Sequence, residues 1–527
     1  MRFRSVQQQS RQWLPILIFA GWFAVVVRLV ARHVMWRDEV RALSLALNGN
    51  DLMAMLQGVH GEGHPALWYL LLRAAYAVVG RPEVLPALAL VVAVAAALLL
   101  VLKSPFPWPM IGLILLGHFF LFEYSVMARN YGIAMLVLFA VATYYPAYRS
   151  SGIALGVLLF LLANCNVFSA ILAGAFLLFW LIDILSGTGF HWSRSLRHFT
   201  HNAVIAGAGV TVCALTIFPT FNDASVPDWS GGLSLKTLAA AVLNPAVRFE
   251  KLLYPPNVLQ GHWRLPLETA GSLLLFGSTL GLVGRPGAFL AALSALIAFS
   301  VFFAIVGVGP GYPRHAMMWL AFLISLYWIC WDTSNSIGVG SPEPRRDALS
   351  IVATLGFVLF IILLGLQAVR GVRDVQHAMF GDIPFSRSAD FAAFLARRPD
   401  LKDAILIADP DYLLEPLPYY LDNKTYLMRQ QRYGNVVAYT KKARLNLGLD
   451  DVLQNGRTLH DTTGKPVVIL LGLKFGETAP QRVHSEGYDW TLTTTPEQVR
   501  TFQDATVLLH RFEPASSDET FDAYLLK

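Results

Sequence analysis

Trp36-Arg37-Asp38-Glu39-Val40 follows directly on the first long apolar segment of the chain, and Glu-Gly-His-Pro at residues 62–65 opens another apolar segment. Two adjacent carboxylates at the edge of an apolar segment repel each other and cost desolvation free energy, so they are seldom placed there without a use. One use is structural, because acidic side chains suit the positive end of a helix that begins here. The other is chemical, because a carboxylate can act as the general base for an attacking hydroxyl or amine.

The composition around this stretch is that of a polytopic membrane protein. Of 527 residues, 55% are hydrophobic and 14% are charged, and the mean hydropathy is +0.50. A soluble protein carries roughly 25% charged residues. The net charge of +6 does not indicate nucleic acid as a partner, because the basic residues lie in short clusters between apolar segments, as topology signals do.

The apolar segments predict about eleven membrane crossings, each of which needs ~20 apolar residues. They are residues 13–31, 85–102, 110–122, 131–148, 152–163, 167–185, 202–219, 266–283, 287–308, 314–331 and 349–369. Residues 64–80 are also apolar but form a short segment that contains Arg73. We predict that this segment is re-entrant or juxtamembrane, because only then do the basic clusters at Lys103, Arg149, Arg194 and Arg285 all face the cytoplasm.

This topology places the N-terminus in the cytoplasm and four loops on the outer face. The loops are residues 32–63, 124–130, 220–265 and 309–315. From residue 371 the composition becomes that of a soluble domain, with short apolar runs at 404–408, 467–471 and 507–512. Such runs, alternating with helical pieces, predict a small α/β domain at residues 371–527, after a transmembrane domain at residues 1–370.

Several cations occur at the outer ends of the predicted crossings. Arg129, Arg314 and His315 lie there, and Arg41 follows the paired acids on a predicted surface helix. Guanidinium groups bind phosphate oxygens with two parallel hydrogen bonds, so these residues are candidate phosphate ligands. The alternative is that each cation only reaches out to the lipid headgroups.

Glu62, His64 and Glu123 are further candidates for lining a site. Glu62 and His64 could equally form a helix entry turn with the following proline, and Glu123 could pair with Arg129 or face the site. His60 and His64 could hold a divalent metal with Asp38 or Glu39, but their spacing matches no strong metal motif. No cofactor is therefore firmly indicated.

Three motifs together resemble those of the GT-C class of integral membrane glycosyltransferases. Within that class, the similarity is to the family 39-like group that contains protein O-mannosyltransferases and the lipid A aminoarabinose transferase. The motifs are Asp38-Glu39 in the first outer loop, Glu-Gly-His-Pro-Ala-Leu-Trp-Tyr at residues 62–69, and Ser-Val-Met-Ala-Arg-Asn-Tyr at residues 125–131. The Pro-Arg-His entry at residues 313–315 is similar to a Pro-Arg-Tyr entry of the family. Ala66 and Asn130 depart from its pattern, since relatives often place a second proline and a second acid there.

The resemblance implies an inverting glycosyltransferase of a bacterial inner membrane, with its C-terminal domain in the periplasm. Its donor would be a polyprenyl-phosphate-linked sugar, and its acceptor an envelope glycan, lipid or protein. Asp38 would be the catalytic base, supported by Glu39. Arg129, Arg314, His315 and Arg41 would hold the donor phosphate. Glu62, His64, Glu123 and Tyr131 would line the site.

Other classes of protein remain open on the sequence. A lipid-linked sugar flippase or other transporter would predict paired broken helices in two related halves, which the sequence does not display. A ligase or polymerase that uses a lipid-linked oligosaccharide shares most of the same physical requirements. A non-catalytic envelope-assembly protein would tolerate replacement of Asp38.

Overall fold

Helices form the first part of the chain, and strands mixed with helices follow, in a computed structural model of the protein. The residues that it describes are 2–189, 192–225, 234–254, 261–306, 313–337, 348–381, 383–475, 481–484 and 488–527. The helices are α1 (Arg2–Arg32), α2 (Arg37–Ala46), α3 (Leu52–Val59), α4 (Leu67–Val79), α5 (Val84–Lys103), α6 (Trp108–Leu116), α7 (Tyr131–Tyr148), α8 (Ala154–Ala163), α9 (Val167–Thr188), α10 (Arg194–Ile217), α11 (Leu235–Leu243), α12 (Glu250–Leu253), α13 (Arg264–Leu280), α14 (Pro286–Val306), α15 (Pro313–Ile337), α16 (Ala348–Phe380), α17 (Ser388–Ala396), α18 (Leu449–Thr463) and α19 (Pro496–Ala505).

Each predicted crossing coincides with a helix, but not every one of these helices is long enough to cross a membrane by itself. Among the described residues, 7 helices have the necessary length and apolar composition: Trp13–Arg32, Val84–Lys103, Tyr131–Tyr148, Val167–Gly187, Arg194–Ile217, Pro286–Val306 and Ala348–Phe380. The other predicted crossings fall on α6, α8, α13 and α15. Of these, α6 has 9 residues and α8 has 10, against the ~20 of a full crossing. The protein is thus a multi-pass helical membrane protein, in which α6 and α8 are each too short to cross a membrane by themselves.

The segment after the first crossing forms short helices, as predicted for residues 32–80. α4 has 13 residues, which is shorter than a bilayer crossing requires. Arg73, the charge inside this apolar helix, donates to the carbonyls of Ala46 (3.0 Å), Asn48 (3.1 Å) and Gly49 (3.2 Å). It therefore satisfies carbonyl groups at the C-terminal end of α2, which a helix leaves without internal partners, and fixes α2 against α4.

The last part of the chain is an α/β domain, as predicted. Its strands are β1 (Ile405–Asp409), β2 (Tyr426–Leu427), β3 (Arg432–Tyr433), β4 (Asn446–Gly448), β5 (Val467–Leu471), β6 (Gln481–His484), β7 (Thr491–Thr494), β8 (Thr506–Phe512) and β9 (Phe521–Leu526). β1, β5 and β8 match the predicted strands. The main sheet has the order β1-β5-β9-β8, with β1 and β5 parallel and β9 antiparallel to its neighbours.

β1 and β5 are buried along their whole length because almost all of their residues are apolar. Leu406 and Val468 pack on one face with Phe391 of α17. Ile407 and Ile469 pack on the other face, in a cluster with residues of α18 and α19. This is the side-chain alternation of a strand with helices on both sides.

α16 connects the two parts of the chain and runs past the predicted domain boundary at residue 370, ending at Phe380. Gly371 makes this path possible, because a Cβ there would lie 2.1 Å from the Leu116 carbonyl oxygen. The close approach brings the end of α16 against a π-helical turn at Phe119–Glu123. The C-terminal end of α16 thus lies beside the predicted outer turn at residues 124–130.

The C-terminal domain contacts predicted outer loops of the helical part. Ser388 Oγ and Tyr420 Oη each donate to the Met35 carbonyl at 3.2 Å. The Ala224 N–H donates to the Tyr439 carbonyl at 2.7 Å, so part of the predicted loop 220–265 also contacts the domain. Residues 226–233, 255–260 and 309–312 of the predicted outer loops lie outside the described residues.

Candidate active site

Asp38 and Glu39 both lie in the first turn of α2, but their side chains have different surroundings. Glu39 is 0% exposed. Its carboxylate accepts the backbone N–H of Ala128 (2.6 Å) and that of Trp36 (3.3 Å), and lies 2.7 Å from His33 Nε2. Glu39 therefore caps the N-terminus of α2 and ties that helix to the turn at residues 124–130. Glu39 does not line the cavity described below. Glu39 could therefore support catalysis only by positioning that turn.

Asp38 is the point at which three of the predicted outer loops meet. Its side chain is 26% exposed. Asp38 Oδ2 accepts a hydrogen bond from Arg129 Nη1 and another from Arg314 Nη2 at 3.3 Å. The Nε of Arg37 lies 3.8 Å from Asp38 Oδ1. The structure thus brings the predicted base and two predicted phosphate ligands into one ionic cluster.

This cluster determines the protonation state of Asp38. Burial by itself raises the pKa of Asp38, but Arg129, Arg314 and Arg37 outweigh burial and hold that pKa well below its ordinary value. The carboxylate is therefore ionised at neutral pH. It is also a weak base for as long as the guanidinium groups remain on it, since they stabilise the charged form.

A cavity of about 170 Å³ opens beside Asp38. Of the predicted site residues, it is lined by Asp38, Arg41, Glu62, His64 and Arg129. The residues that the sequence did not predict are Ala42 of α2, Trp68 and Tyr69 of α4, Asn130, and Tyr439 and Tyr488 of the C-terminal domain. The cavity is thus polar at its base, has aromatic walls, and is closed partly by a second domain.

His64 supports Arg129 as a neutral hydrogen-bond acceptor. Its Nε2 lies 3.3 Å from Arg129 Nη2, and because a guanidinium can only donate, the histidine nitrogen must accept. Burial and the nearby charge of Arg129 lower the pKa of His64 to about 3. His64 is therefore neutral at physiological pH and orients Arg129.

Arg41 is held by carboxylates from both parts of the chain. Its Nε donates to Glu62 at 2.6 Å, and its Nη1 donates to Glu415 and to the Val437 carbonyl at 2.8 Å. Glu415 is completely buried. These bonds occupy much of the donor capacity of Arg41, which leaves few of its N–H groups for a phosphate. Arg41 instead links the C-terminal domain to the helical part.

Tyr439 and Tyr488 form the outer wall of the cavity. Their rings stack with centroids 4.2 Å apart and planes 9° from parallel, and Trp490 lies 5.2 Å from Tyr439. The rings offer a flat apolar face with polar tips. Sequence reasoning missed them because they lie about 400 residues from Asp38; the aromatic pair at positions 488 and 490 was the one local signal.

His315 and Tyr131 lie behind the cluster and outside the cavity lining. The His315 ring stacks on Phe168 at 4.5 Å and lies 5.5 Å from Tyr131. Tyr131 in turn lies 5.9 Å from the Arg129 guanidinium. The structure thus places His315, predicted as a phosphate ligand, among aromatic rings that support the cluster.

Glu123 and His60 are not brought to the site. Glu123 lies 3.4 Å from His118 in a separate cavity, so the pairing with Arg129 considered from the sequence is not observed. His60 packs against Phe221 at 5.5 Å. Within the described ranges, no group of three or more His, Cys, Asp or Glu side chains is placed to hold a metal ion.

Comparison with known proteins finds similarity in structure but not in sequence. No family model and no curated protein matches the chain. The structure is similar to ArnT from Cupriavidus metallidurans in the apo state, with 14% identity over 98% of both chains and a TM-score of 0.47. ArnT bound to undecaprenyl phosphate gives 14% identity over 97% of both chains and a TM-score of 0.45.

A third similar structure is the arabinofuranosyltransferase AftD from Mycobacteria. It gives 13% identity and a TM-score of 0.37 over 98% of this chain and 40% of that chain. Likeness at this level assigns no activity, so the function must follow from the site itself.

Proposed function

We propose that the protein is an inverting glycosyltransferase that moves a sugar from a polyprenyl-phosphate donor to an acceptor at the outer face of a bacterial inner membrane. One observation carries the proposal. The partly exposed carboxylate of Asp38 shares one ionic cluster with the guanidinium groups of Arg129 and Arg314. Transfer of a sugar from a phosphate needs a base for the acceptor and cations for the leaving phosphate, and this cluster supplies both.

The reaction begins with an exchange of partners. The donor phosphate takes over the hydrogen bonds that Arg129 and Arg314 donate to Asp38 in this structure. Once these cations are neutralised by phosphate, the pKa of Asp38 rises back toward its ordinary range. Donor binding therefore converts Asp38 from a paired anion into a usable base.

In the transfer step, Asp38 takes the proton of an acceptor hydroxyl or amine. The acceptor atom forms its bond to the sugar carbon from the face opposite the phosphate, while the bond between that carbon and the phosphate oxygen breaks. The electron pair stays on the polyprenyl phosphate, whose charge Arg129 and Arg314 stabilise. The configuration of the sugar carbon inverts, and the proton ends on Asp38.

The remaining residues of the cavity hold this arrangement and receive the acceptor. His64 keeps Arg129 aimed at the phosphate. The chain Glu62–Arg41–Glu415 locks the C-terminal domain over the cavity. The stacked rings of Tyr439 and Tyr488 then provide a surface against which a glycan, lipid or protein acceptor can lie.

The test is release of polyprenyl phosphate from a panel of polyprenyl-phosphate sugars by the purified protein in nanodiscs. We expect one donor to be cleaved, and Asp38→Asn to lower the rate by about 10²–10⁴-fold, the usual contribution of general base catalysis. Asp51→Asn is the matched control, because Asp51 is exposed in the same outer loop and caps α3, a role that asparagine also fills.

Two results would refute the proposal. A transporter would move the lipid across the membrane without breaking the bond between sugar and phosphate. A non-catalytic assembly protein would release no polyprenyl phosphate from any donor and would keep its role in cells when Asp38 is replaced.

A further inference from the structure

A second cavity lies where α1, the π-helical turn and α16 meet. It has a volume of about 470 Å³ and shares lining residues with an adjacent groove of about 520 Å³ beside α12. Within the described part of the chain, none of the residues that line these two spaces lines the Asp38 cavity. The two spaces therefore form a site of their own.

This second site is apolar at one end and basic at the other. The apolar lining includes Leu252 of α12 and Leu366 and Val369 of α16. Arg370 and Arg373 lie on α16, directly after the apolar run of that helix. The change from apolar to basic lining thus falls at the end of the apolar run, where lipid headgroups meet a membrane protein.

Arg370 is not a residue that simply reaches out to the membrane surface. Its side chain is 19% exposed, and among the described residues its buried Nη1 has no hydrogen-bond partner. Arginines at helix ends ordinarily extend to the headgroups of bulk lipid. An enclosed guanidinium with an unsatisfied donor needs an anion within the cavity.

The nearest carboxylate only partly meets this need. Asp374 Oδ2 lies 3.6 Å from Arg370 Nε but 2.5 Å from His118 Nδ1. His118 is also 3.4 Å from Glu123 through its other nitrogen. The two acids of the cavity are therefore engaged with His118. The lining guanidinium groups of Arg32, Arg370 and Arg373 leave an excess of positive charge.

We propose that this second site binds an anionic glycerophospholipid of the membrane. Its phosphate would lie on Arg370 and Arg373, and its acyl chains along Leu252, Leu366 and Val369. Free phosphate would leave the apolar wall uncovered. Because the two sites share no lining residue among those described, we assign this one to a membrane phospholipid and not to the glycosyl donor.

The test is titration of the purified full-length protein with phosphatidylglycerol, followed by native mass spectrometry. We expect one lipid to be retained per chain, and Arg370→Gln to weaken retention about tenfold, the loss expected for one charge-assisted hydrogen bond. Arg370→Lys keeps the charge and should restore part of the binding. Arg457→Gln is the matched control, because it removes an exposed arginine from α18 of the C-terminal domain.

Arg373→Gln provides a second variant should Arg370→Gln fail to fold, because Arg373 is exposed on α16. We expect it to weaken retention by a few fold, with an unchanged melting temperature. Three results would overturn the proposal: equal retention of phosphatidylglycerol by wild type and both variants, equal binding of zwitterionic phosphatidylethanolamine, or displacement of phosphatidylglycerol by polyprenyl phosphate.

Discussion

At the residue scale, Asp38 and the donor phosphate would compete for the same two cations. Arg129 and Arg314 are both hydrogen-bonded to Asp38. Binding of a phosphate there must break these bonds, so removing the carboxylate charge should favour the phosphate. The same pairing that makes Asp38 a weak base thus lowers the affinity for donor.

This competition predicts that Asp38→Asn binds polyprenyl phosphate more tightly than wild type although it transfers sugar far more slowly. We expect a gain of about tenfold, which corresponds to about 1.4 kcal/mol, measured by a lipid-binding titration. Asp51→Asn should leave the affinity unchanged. Equal or weaker binding by Asp38→Asn would show that the carboxylate does not compete with the phosphate.

A second prediction at this scale concerns Glu519, which contacts the loop that carries Asp38. Its Oε1 accepts the Arg37 N–H at 2.9 Å, and burial raises the pKa of Glu519 to about 7. An acid with a raised pKa binds more protons in the folded state than in the unfolded state. Its contribution to stability is therefore present at low pH and lost as the pH rises from about 4.3, the ordinary value, toward 7.

Glu519→Gln should remove this dependence, since glutamine does not titrate. We expect the wild-type melting temperature to fall more steeply between about pH 5 and 7 than that of the variant, with a difference in stability on the order of 3 kcal/mol at most. Tryptophan fluorescence during heating measures this. Glu497→Gln, at an exposed position of α19, should keep the wild-type slope, and an equal slope for Glu519→Gln would contradict the assignment.

At the scale of elements, Glu39 joins α2 to the turn at residues 124–130. Glu39→Gln keeps the shape of the side chain but removes the charge and one acceptor from a fully buried network. We expect a loss of about 1–3 kcal/mol in stability, as for other buried groups that lose a partner. The transfer rate per folded molecule should fall far less than in Asp38→Asn.

The measurement is transfer activity normalised to the folded fraction, for both variants under the same conditions. A loss in Glu39→Gln as large as that in Asp38→Asn, without a loss of stability, would make Glu39 a direct participant. The sequence could not separate these two acids, because both begin the same helix. Their difference depends on which one faces the turn that carries Ala128 and which one faces the cavity.

At the scale of the whole molecule, two of the predicted cytoplasmic basic residues meet at one end of the helical part. Arg149 Nη1 lies 3.4 Å and Arg285 Nη2 lies 2.8 Å from the carboxylate of Asp183. The C-terminal domain instead contacts residues 33–37 and 220–225. This arrangement agrees with the charge pattern, which puts Arg149 and Arg285 in the cytoplasm and the domain in the periplasm.

We therefore expect alkaline phosphatase fused after Lys527 to be active in cells, and a fluorescent protein that folds only in the cytoplasm to stay dark at the same position. Fusions at residue 103 or 149 are the control, and there we expect inactive alkaline phosphatase and a bright fluorescent protein. A cytoplasmic C-terminus would also move Asp38 to the cytoplasmic side, because the domain is bonded to the loop that carries it.

The sequence by itself determined the membrane-embedded helices, the α/β domain and the choice of Asp38, Arg129 and Arg314 as candidate site residues. These follow from apolar runs, charge clusters and motifs, which are local properties of the chain. The short α6 and α8 are the exceptions, because apolar composition does not reveal where a helix is broken.

Only the tertiary structure decided which charged group meets which. It separated Asp38 from Glu39, assigned Arg41 to Glu415, placed Tyr439 and Tyr488 over the cavity and enclosed Arg370. Each of these depends on contacts between residues that lie far apart in the chain, and no local pattern encodes such contacts. The paired acids that mark the sequence are thus two different groups, one facing a cavity and one holding the turn beside it.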